Sequence, residues 1–228
     1  MQARGSLVLH DVRIMLHGHA LIDAMNLTVV PGECATVMGP SGCGKSTLLA
    51  FIAGTLDPVF KAEGRVSVGG RDITILSPER RRVGIQFQDD LLFPHLSVGE
   101  NLAFALTDRI RDRRSRRRHI DEALAEADLV GYATRDPATL SGGQRARVAL
   151  LRTLLAEPEV LLLDEPFNRL DAQLRQDFRR FVFDHAAQRG LPILLVTHDA
   201  ADAQAAGGQV IELARHGRPP VPGHVINT

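Results

Sequence analysis

The sequence predicts an α/β fold built on a mostly parallel sheet, and three observations predict it. Short apolar runs of strand length recur at Cys34–Met38, 160–163 and 193–196, each apolar enough to be buried on both faces. Segments of helical texture separate these runs, and parallel neighbours require such crossovers. Between residues 89 and 156 strand-like runs are missing and helix formers dominate, which predicts an inserted α-helical subdomain.

Taken in order, Leu7-Val8-Leu9 and 27–30 are aliphatic or β-branched and read as strands, with Pro31-Gly32 breaking the chain after the second. The buried run Cys34–Met38 leads into a glycine-rich turn. Ser46 to Ala53 then reads as a helix closed by Gly54. In the middle, Ile120, Ala123, Leu124 and Ala127 form one helical stripe, and Val148, Leu151 and Leu155 form a second. The apolar runs 160–163 and 193–196 each end in polar or charged residues. The tail after Leu213, with Pro219-Pro220 and Pro222-Gly223, reads as a loose end. One domain over 1–228 is expected, with an α/β core at 1–88 and 157–228 and the helical subdomain at 89–156.

Composition narrows the class. A chain of 228 residues with 44% hydrophobic and 24% charged residues is globular and not disordered. Its 27 basic residues balance 27 acidic ones, whereas a dedicated nucleic-acid binder is strongly basic. Cys34 and Cys43 cannot make a disulfide framework, which suits a reducing compartment. Residues 1–10 lack a long apolar run behind a basic cluster, so no signal peptide is expected. No stretch approaches the ~20 apolar residues of a membrane span, so membrane contact is expected to go through a partner. Only two of the basic residues, Lys45 and Lys61, are lysines.

Lys45 lies in Gly39-Pro40-Ser41-Gly42-Cys43-Gly44-Lys45-Ser46-Thr47, which fits G-x-x-x-x-G-K-[ST] between a predicted strand and a predicted helix. Glycines let backbone N–H groups turn inward around a phosphate, and the helix N-terminus adds partial positive charge. Lys45 reaches the terminal phosphate oxygens, and the Ser46 hydroxyl is a Mg²⁺ ligand. In a chain with two lysines chance is a weak rival, so the chain is expected to bind a nucleoside triphosphate. At the end of the strand 160–163, Asp164 and Glu165 face the ligand crevice of an open parallel sheet. Asp164 suits the metal shell and Glu165 suits a general base acting on water. Leu140-Ser141-Gly142-Gly143-Gln144 opens a helix and forms a second anion-binding terminus. One triphosphate tail does not need two such loops, so the second points to a nucleotide held by another subunit.

The order phosphate loop, Gln88, LSGGQ, Asp164-Glu165, Asp171, His198 resembles the nucleotide-binding subunit of ABC transporters over nearly the whole chain. The resemblance implies a P-loop NTPase core with an N-terminal antiparallel β part, and ATP and Mg²⁺ as ligands. It implies that Gln88 senses Mg²⁺ and the γ-phosphate, that Asp171 shapes a dimer seam, and that His198 contacts the γ-phosphate and aligns Glu165. A head-to-tail homodimer with two ATP molecules between its subunits follows, each nucleotide facing Ser141, Gly142, Gly143 and Gln144 of the other subunit.

The segment Leu91-Leu92-Phe93-Pro94-His95-Leu96-Ser97-Val98 with Glu100-Asn101-Leu102 is similar to the importer version of this region. Asp136-Pro137-Ala138-Thr139 and the helix after the signature resemble the YnjD-like group of bacterial importer ATPases. The implied partners are integral-membrane permease subunits and an external substrate-binding protein, and the implied location is the cytoplasmic face of the bacterial inner membrane, peripherally attached. The alternative is a non-transport ABC ATPase acting on nucleic acid or a protein complex. A small-molecule kinase would leave LSGGQ and His198 unexplained. The tail is too short for the regulatory β-domain of some importer subunits.

Two departures stand out against this pattern. Leu16, beside His17 and His19, occupies the place where the family carries an aromatic for adenine, which predicts weak adenine selection or tolerance of GTP. Asn168-Arg169 replaces the more usual Ser-Ala or Ser-Asn. Separately, residues 109–118 hold seven arginines and one acid, Asp112. A solvated face is the leading expectation, contact with anionic lipid a further one, and the lack of interleaved aromatics argues against nucleic acid.

Overall fold

The computed structural model describes residues 5–106 and 110–213; the proline-containing tail and Arg109 lie outside the described residues. The chain opens with β1 (Leu7–Leu16) and β2 (His19–Val29), joined by a two-residue turn in which His17 (φ 50°) and Gly18 (φ 84°) are both left-handed. That turn geometry matches the natural twist of a hairpin. Both strands are far longer than the runs 7–9 and 27–30. Register shifts between Leu9 and Met15 interrupt the inside–outside alternation, which hides the strand period from the sequence. With β4 (Phe60–Val68) and β5 (Arg71–Asp72) they form an antiparallel sheet in the order β2-β1-β4-β5.

The second sheet holds β3 (Cys34–Met38), β6 (Val83–Gln86), β7 (Val160–Asp164), β8 (Ile193–Thr197) and β9 (Gln209–Glu212), in the order β6-β7-β8-β3-β9. Every pairing in it is parallel. Three of its strands are the apolar runs of the sequence. β6 is not, because Gly84 interrupts it: a Cβ there would lie 2.8 Å from the Thr153 side chain and 3.1 Å from Pro158. The helix α5 (Gly142–Leu155) packs so closely on this strand that only glycine fits.

The parallel sheet separates two apolar cores. Leu161 and Leu163 of β7, with Ile193 and Leu195 of β8, join the core formed by α3 (Val98–Ala105), α4 (Arg113–Glu126), α5 and α6 (Ala172–Gln188). Val160, Leu162, Leu194 and Val196 face the other way, onto α1 (Lys45–Ala53) and the antiparallel sheet. The predicted stripes Ile120, Ala123, Leu124 and Ala127 and Val148 and Leu151 are buried in the first core. Leu155 is only partly buried, with Leu154 in its place.

Arg81, on the short helix α2 (Pro78–Arg81), is buried and makes no close ion pair among the described residues, Asp72 acting on it only from a distance. Its guanidinium donates to the carbonyls of Phe51 and Ile52 at the end of α1, and to those of Thr74 and Leu76. It therefore satisfies the last carbonyls of the helix that starts at the phosphate loop. Of the arginine run, Arg117 and Arg118 make exposed i,i+4 pairs with Asp121 and Glu122, as a solvated face should. Arg116 instead turns inward and donates to the carbonyls of Ala103 and Ile110. Both cysteines are free and buried, and burial pushes the Cys34 thiol up to about 12.

Candidate functional site

Parallel pairing brings the carboxyl ends of β3, β8 and β7 to one level: Met38 is opposite Thr197, and Val196 is opposite Asp164. Each strand delivers one part of the site to this edge. After β3, Gly39 to Gly44 wrap into α1, whose N-cap is Gly44 at φ 100°. The left-handed backbone favours glycine here, and no side chain caps the helix. The first-turn N–H groups of α1 therefore have no side-chain acceptor, which is the local condition for anion binding. Leu21 of β2 packs over this turn, 3.3 Å from where a Cβ of Gly44 would lie. Cys43 is buried and its N–H donates to the Pro40 carbonyl, closing the loop on itself. Pro40 is half-buried, Ser41 and Gly42 are exposed, and Thr47 follows Ser46 into α1.

Lys45 is buried, and its ammonium donates to the carbonyls of Gly39 at 2.7 Å and Pro40 at 3.1 Å. Its Nζ also lies 3.9 Å from Glu165 Oε1. The Ser46 hydroxyl donates to Asp164 Oδ1 at 3.1 Å. Burial pushes the Asp164 carboxyl above its ordinary range, helped by the charge of Glu165 and opposed by the Ser46 hydrogen bond and Lys45. Glu165 sits at φ 48°, a strained conformation for a glutamate, and its N–H donates to Val196 O of β8. Its Oε2 lies 2.8 Å from His198 Nδ1 and also accepts from the Asn168 amide. His198 is otherwise more than half exposed.

Ser46 and Asp164 fit a Mg²⁺ ion: two hard oxygens converge at a strand end beside a phosphate-type loop. Among the described residues no group of three or more His, Cys, Asp or Glu could hold a metal. A site of few protein ligands is what Mg²⁺ uses when substrate phosphates and water complete its shell.

The remaining sequence-predicted residues lie apart from this cluster. Ser141 caps α5, accepting from Gln144 N while the Gln144 side chain accepts from Ser141 N. The serine hydroxyl proton stays available to an anion, and no acid occupies the first turn. Gly143 is buried against Leu174. Asp171 caps α6 by accepting from Leu174 N at 3.0 Å. Gln88 is exposed, makes no hydrogen bond among the described residues, and lines a cleft of about 510 Å³ with Asp90, Pro94, Gly142, Arg145 and Arg169. Sequence reasoning assigned no role to the Asn168 contact with Glu165; its only signal was the departure at 168–169. The Arg169 guanidinium pairs with Asp89, and Arg145 with Asp90 at 3.5 Å.

A family model described as ABC transporter matches residues 22–168. Over 209 residues the chain is 46% identical to the ABC transporter ATP-binding protein YnjD of Escherichia coli (strain K12), a match covering 92% of this chain and 95% of that protein. It is 40% identical to the Fe(3+) ions import ATP-binding protein FbpC of Agrobacterium fabrum, over 94% of this chain and 62% of that one. The identity to FbpC of Escherichia coli (strain K12) is 38%, over 92% and 60%. The chain thus spans less than two thirds of these two import proteins.

Proposed function

The chain belongs to the ABC transporter family as an ATP-binding ATPase, and from that premise we propose that it powers a bacterial importer. Two copies close head to tail around two ATP molecules and drive a membrane permease. The observation that carries this reading is the position of Glu165: its carboxylate lies between His198 Nδ1 and Lys45 Nζ, one residue from the Ser46–Asp164 pair.

The backbone N–H groups at 39–47 and the Lys45 ammonium hold the triphosphate. Ser46 and Asp164 would hold Mg²⁺, which would neutralise charge on the phosphates when bound; Gln88, exposed on the neighbouring cleft, would sense the ion and the γ-phosphate once nucleotide is present. Glu165 takes the proton of the attacking water, and His198 keeps its carboxylate aimed. Ser141, Gly142, Gly143 and Gln144 address the nucleotide of the second copy, and Asp171 lies at the seam. The core at 1–88 and 157–228 carries hydrolysis, while the insertion at 89–156 carries the signature and meets the permease. An external binding protein delivers the substrate. Peripheral attachment at the cytoplasmic face of the inner membrane agrees with the absence, among the described residues, of any helix long and apolar enough to cross a membrane. With Leu16 half-buried at the end of β1 and no Phe, Tyr or Trp beside it in sequence, discrimination between ATP and GTP is weak; a steep preference for ATP that is lost on His17→Ala would instead give the stacking role to a histidine.

The Glu165→Gln variant tests this assignment. It should bind Mg-ATP as the parent does, lose turnover by about 10²–10⁴-fold, and accumulate as a closed dimer in ATP. Undiminished turnover removes Glu165 from the role of base. Co-purification with a permease supports the importer, whereas nucleic-acid-stimulated turnover without one favours the non-transport alternative.

A further inference from the structure

The two groups that touch Glu165 Oε2, His198 and Asn168, sit on different loops, yet one side chain grips both loops. Arg175, in the first turns of α6, donates from Nη1 to Asp199 Oδ2 at 2.8 Å. From Nη2 it reaches the backbone carbonyls of Asn168 at 3.5 Å and Leu170 at 3.4 Å. Asp199 directly follows His198. Its carboxylate also caps α7 (Ala200–Ala206) through Ala201 N at 2.7 Å, and its N–H donates to Thr197 Oγ1. Thr197 in turn donates to Asp202, which is fully buried and paired with Arg179. The loop carrying His198 is therefore fastened on both sides of the histidine by arginines of a single helix.

This fastening is an odd arrangement for stability alone. Arg175 Nε is buried and has no hydrogen-bond partner among the described residues, and an unsatisfied buried donor opposes folding. An apolar side chain would fill the space between α6 and α7 without that cost. What it could not do is pair with a carboxylate and reach two carbonyls in another loop at once, which needs a planar fork with several donors.

We propose that Arg175 is a positioning residue for ATP hydrolysis, holding the His198 loop and the Asn168 loop in register so that both aim the Glu165 carboxylate. Arg175 touches neither Glu165 nor the phosphate loop; it acts through His198 and Asn168. The inference rests on Glu165 being the base. Loss of turnover in Glu165→Gln decides that question separately, so a failure here is distinguishable from a failure there.

The test is a double-mutant cycle on the purified chain, reading kcat and KM for Mg-ATP. Arg175→Met should lower kcat by about tenfold or more while leaving KM near the parent value. In a His198→Ala background the same change should cost less than in the parent, because only the Asn168 loop it steadies still carries an aiming group. Arg175→Lys should recover part of kcat, since an ammonium can pair with Asp199 but cannot also span the Asn168 and Leu170 carbonyls. If Arg175→Met does not fold, Asp199→Asn removes the same ion pair while keeping a side chain able to cap α7, and the cycle is repeated with it. Losses that multiply in the double variant, an unchanged kcat, or a KM that rises with kcat intact would each overturn the proposal.

Discussion

The most informative single residue is Asp164. Burial, and then the charge of Glu165, raise its carboxyl above the ordinary range, so the folded chain resists its ionisation. Stability from this group is present at low pH and is lost as pH rises from the unfolded value through the raised one. Asp164→Asn mimics the protonated form and can still accept the Ser46 hydrogen bond. Assayed without nucleotide at neutral pH, it should melt higher than the parent, and the gap should close on acidification; Mg²⁺-dependent turnover should be lost. A lower melting temperature at neutral pH would refute the burial account. At this scale the sequence was readable where chemistry demands contiguous residues. Residues 39–47 announce a phosphate loop because the backbone, the lysine and the hydroxyl must come from one turn. Asn168 showed only as a departure from the family pattern and Arg175 not at all, since their worth depends on Glu165 and Asp199, which the fold brings near.

At the scale of elements, the buried strands β3, β7 and β8, the end of α1 at Gly54 and the start of α5 at Ser141 were read from the sequence, while the start of α3 was not. α3 starts with a full capping box, in which Ser97 Oγ accepts from Glu100 N while the Glu100 carboxylate accepts from Ser97 N at 2.8 Å. The Ser97 hydroxyl, and then its N–H, hold the Glu100 carboxyl below the usual range. The sign is opposite to that of Asp164: this stabilisation is present above the ordinary glutamate range and is lost as pH falls through the depressed value. Glu100→Gln keeps a neutral box, so its melting temperature should lie below the parent's at neutral pH and converge with it in acid. A constant gap across the titration would contradict this. Strand signals fail where an outside constraint overrides local pattern. β6 needs Gly84 to admit Thr153 and Pro158, and β1 carries bulges that erase its period. α6 was not singled out, although Phe178, Phe181 and Val182 recur along it at helical spacing and are buried with Ala186.

For the whole molecule, the decisive feature is one sheet serving two cores. Leu162 belongs to the core shared with α1 and the hairpin sheet, and its neighbour Leu163 to the helical core; both are fully buried. Truncating either to alanine should cost about 2–5 kcal/mol. Each variant should still melt in one transition by circular dichroism and by intrinsic fluorescence of Tyr132, because neither core keeps its wall without the other. Two separated transitions would mean that the cores are independent. Texture along the sequence leads to an expected α/β core with a helical insertion at 89–156. Burial of the run 160–163 on both faces was readable from its unbroken apolar character, but which helices and which sheet lie against each face was not, since those partners are distant in sequence.

The shared wall also sets a hierarchy of opening rates. A backbone amide in the middle of β7 or β8 has no local fluctuation that frees it, because parting it from its neighbours breaches both cores at once. Its exchange with solvent deuterium has to wait for the entire chain to come undone. Asp164, Glu165 and His198 stand at the rim of that slowest-opening region, so the groups assigned to catalysis are anchored to the part of the molecule with the least freedom to wander.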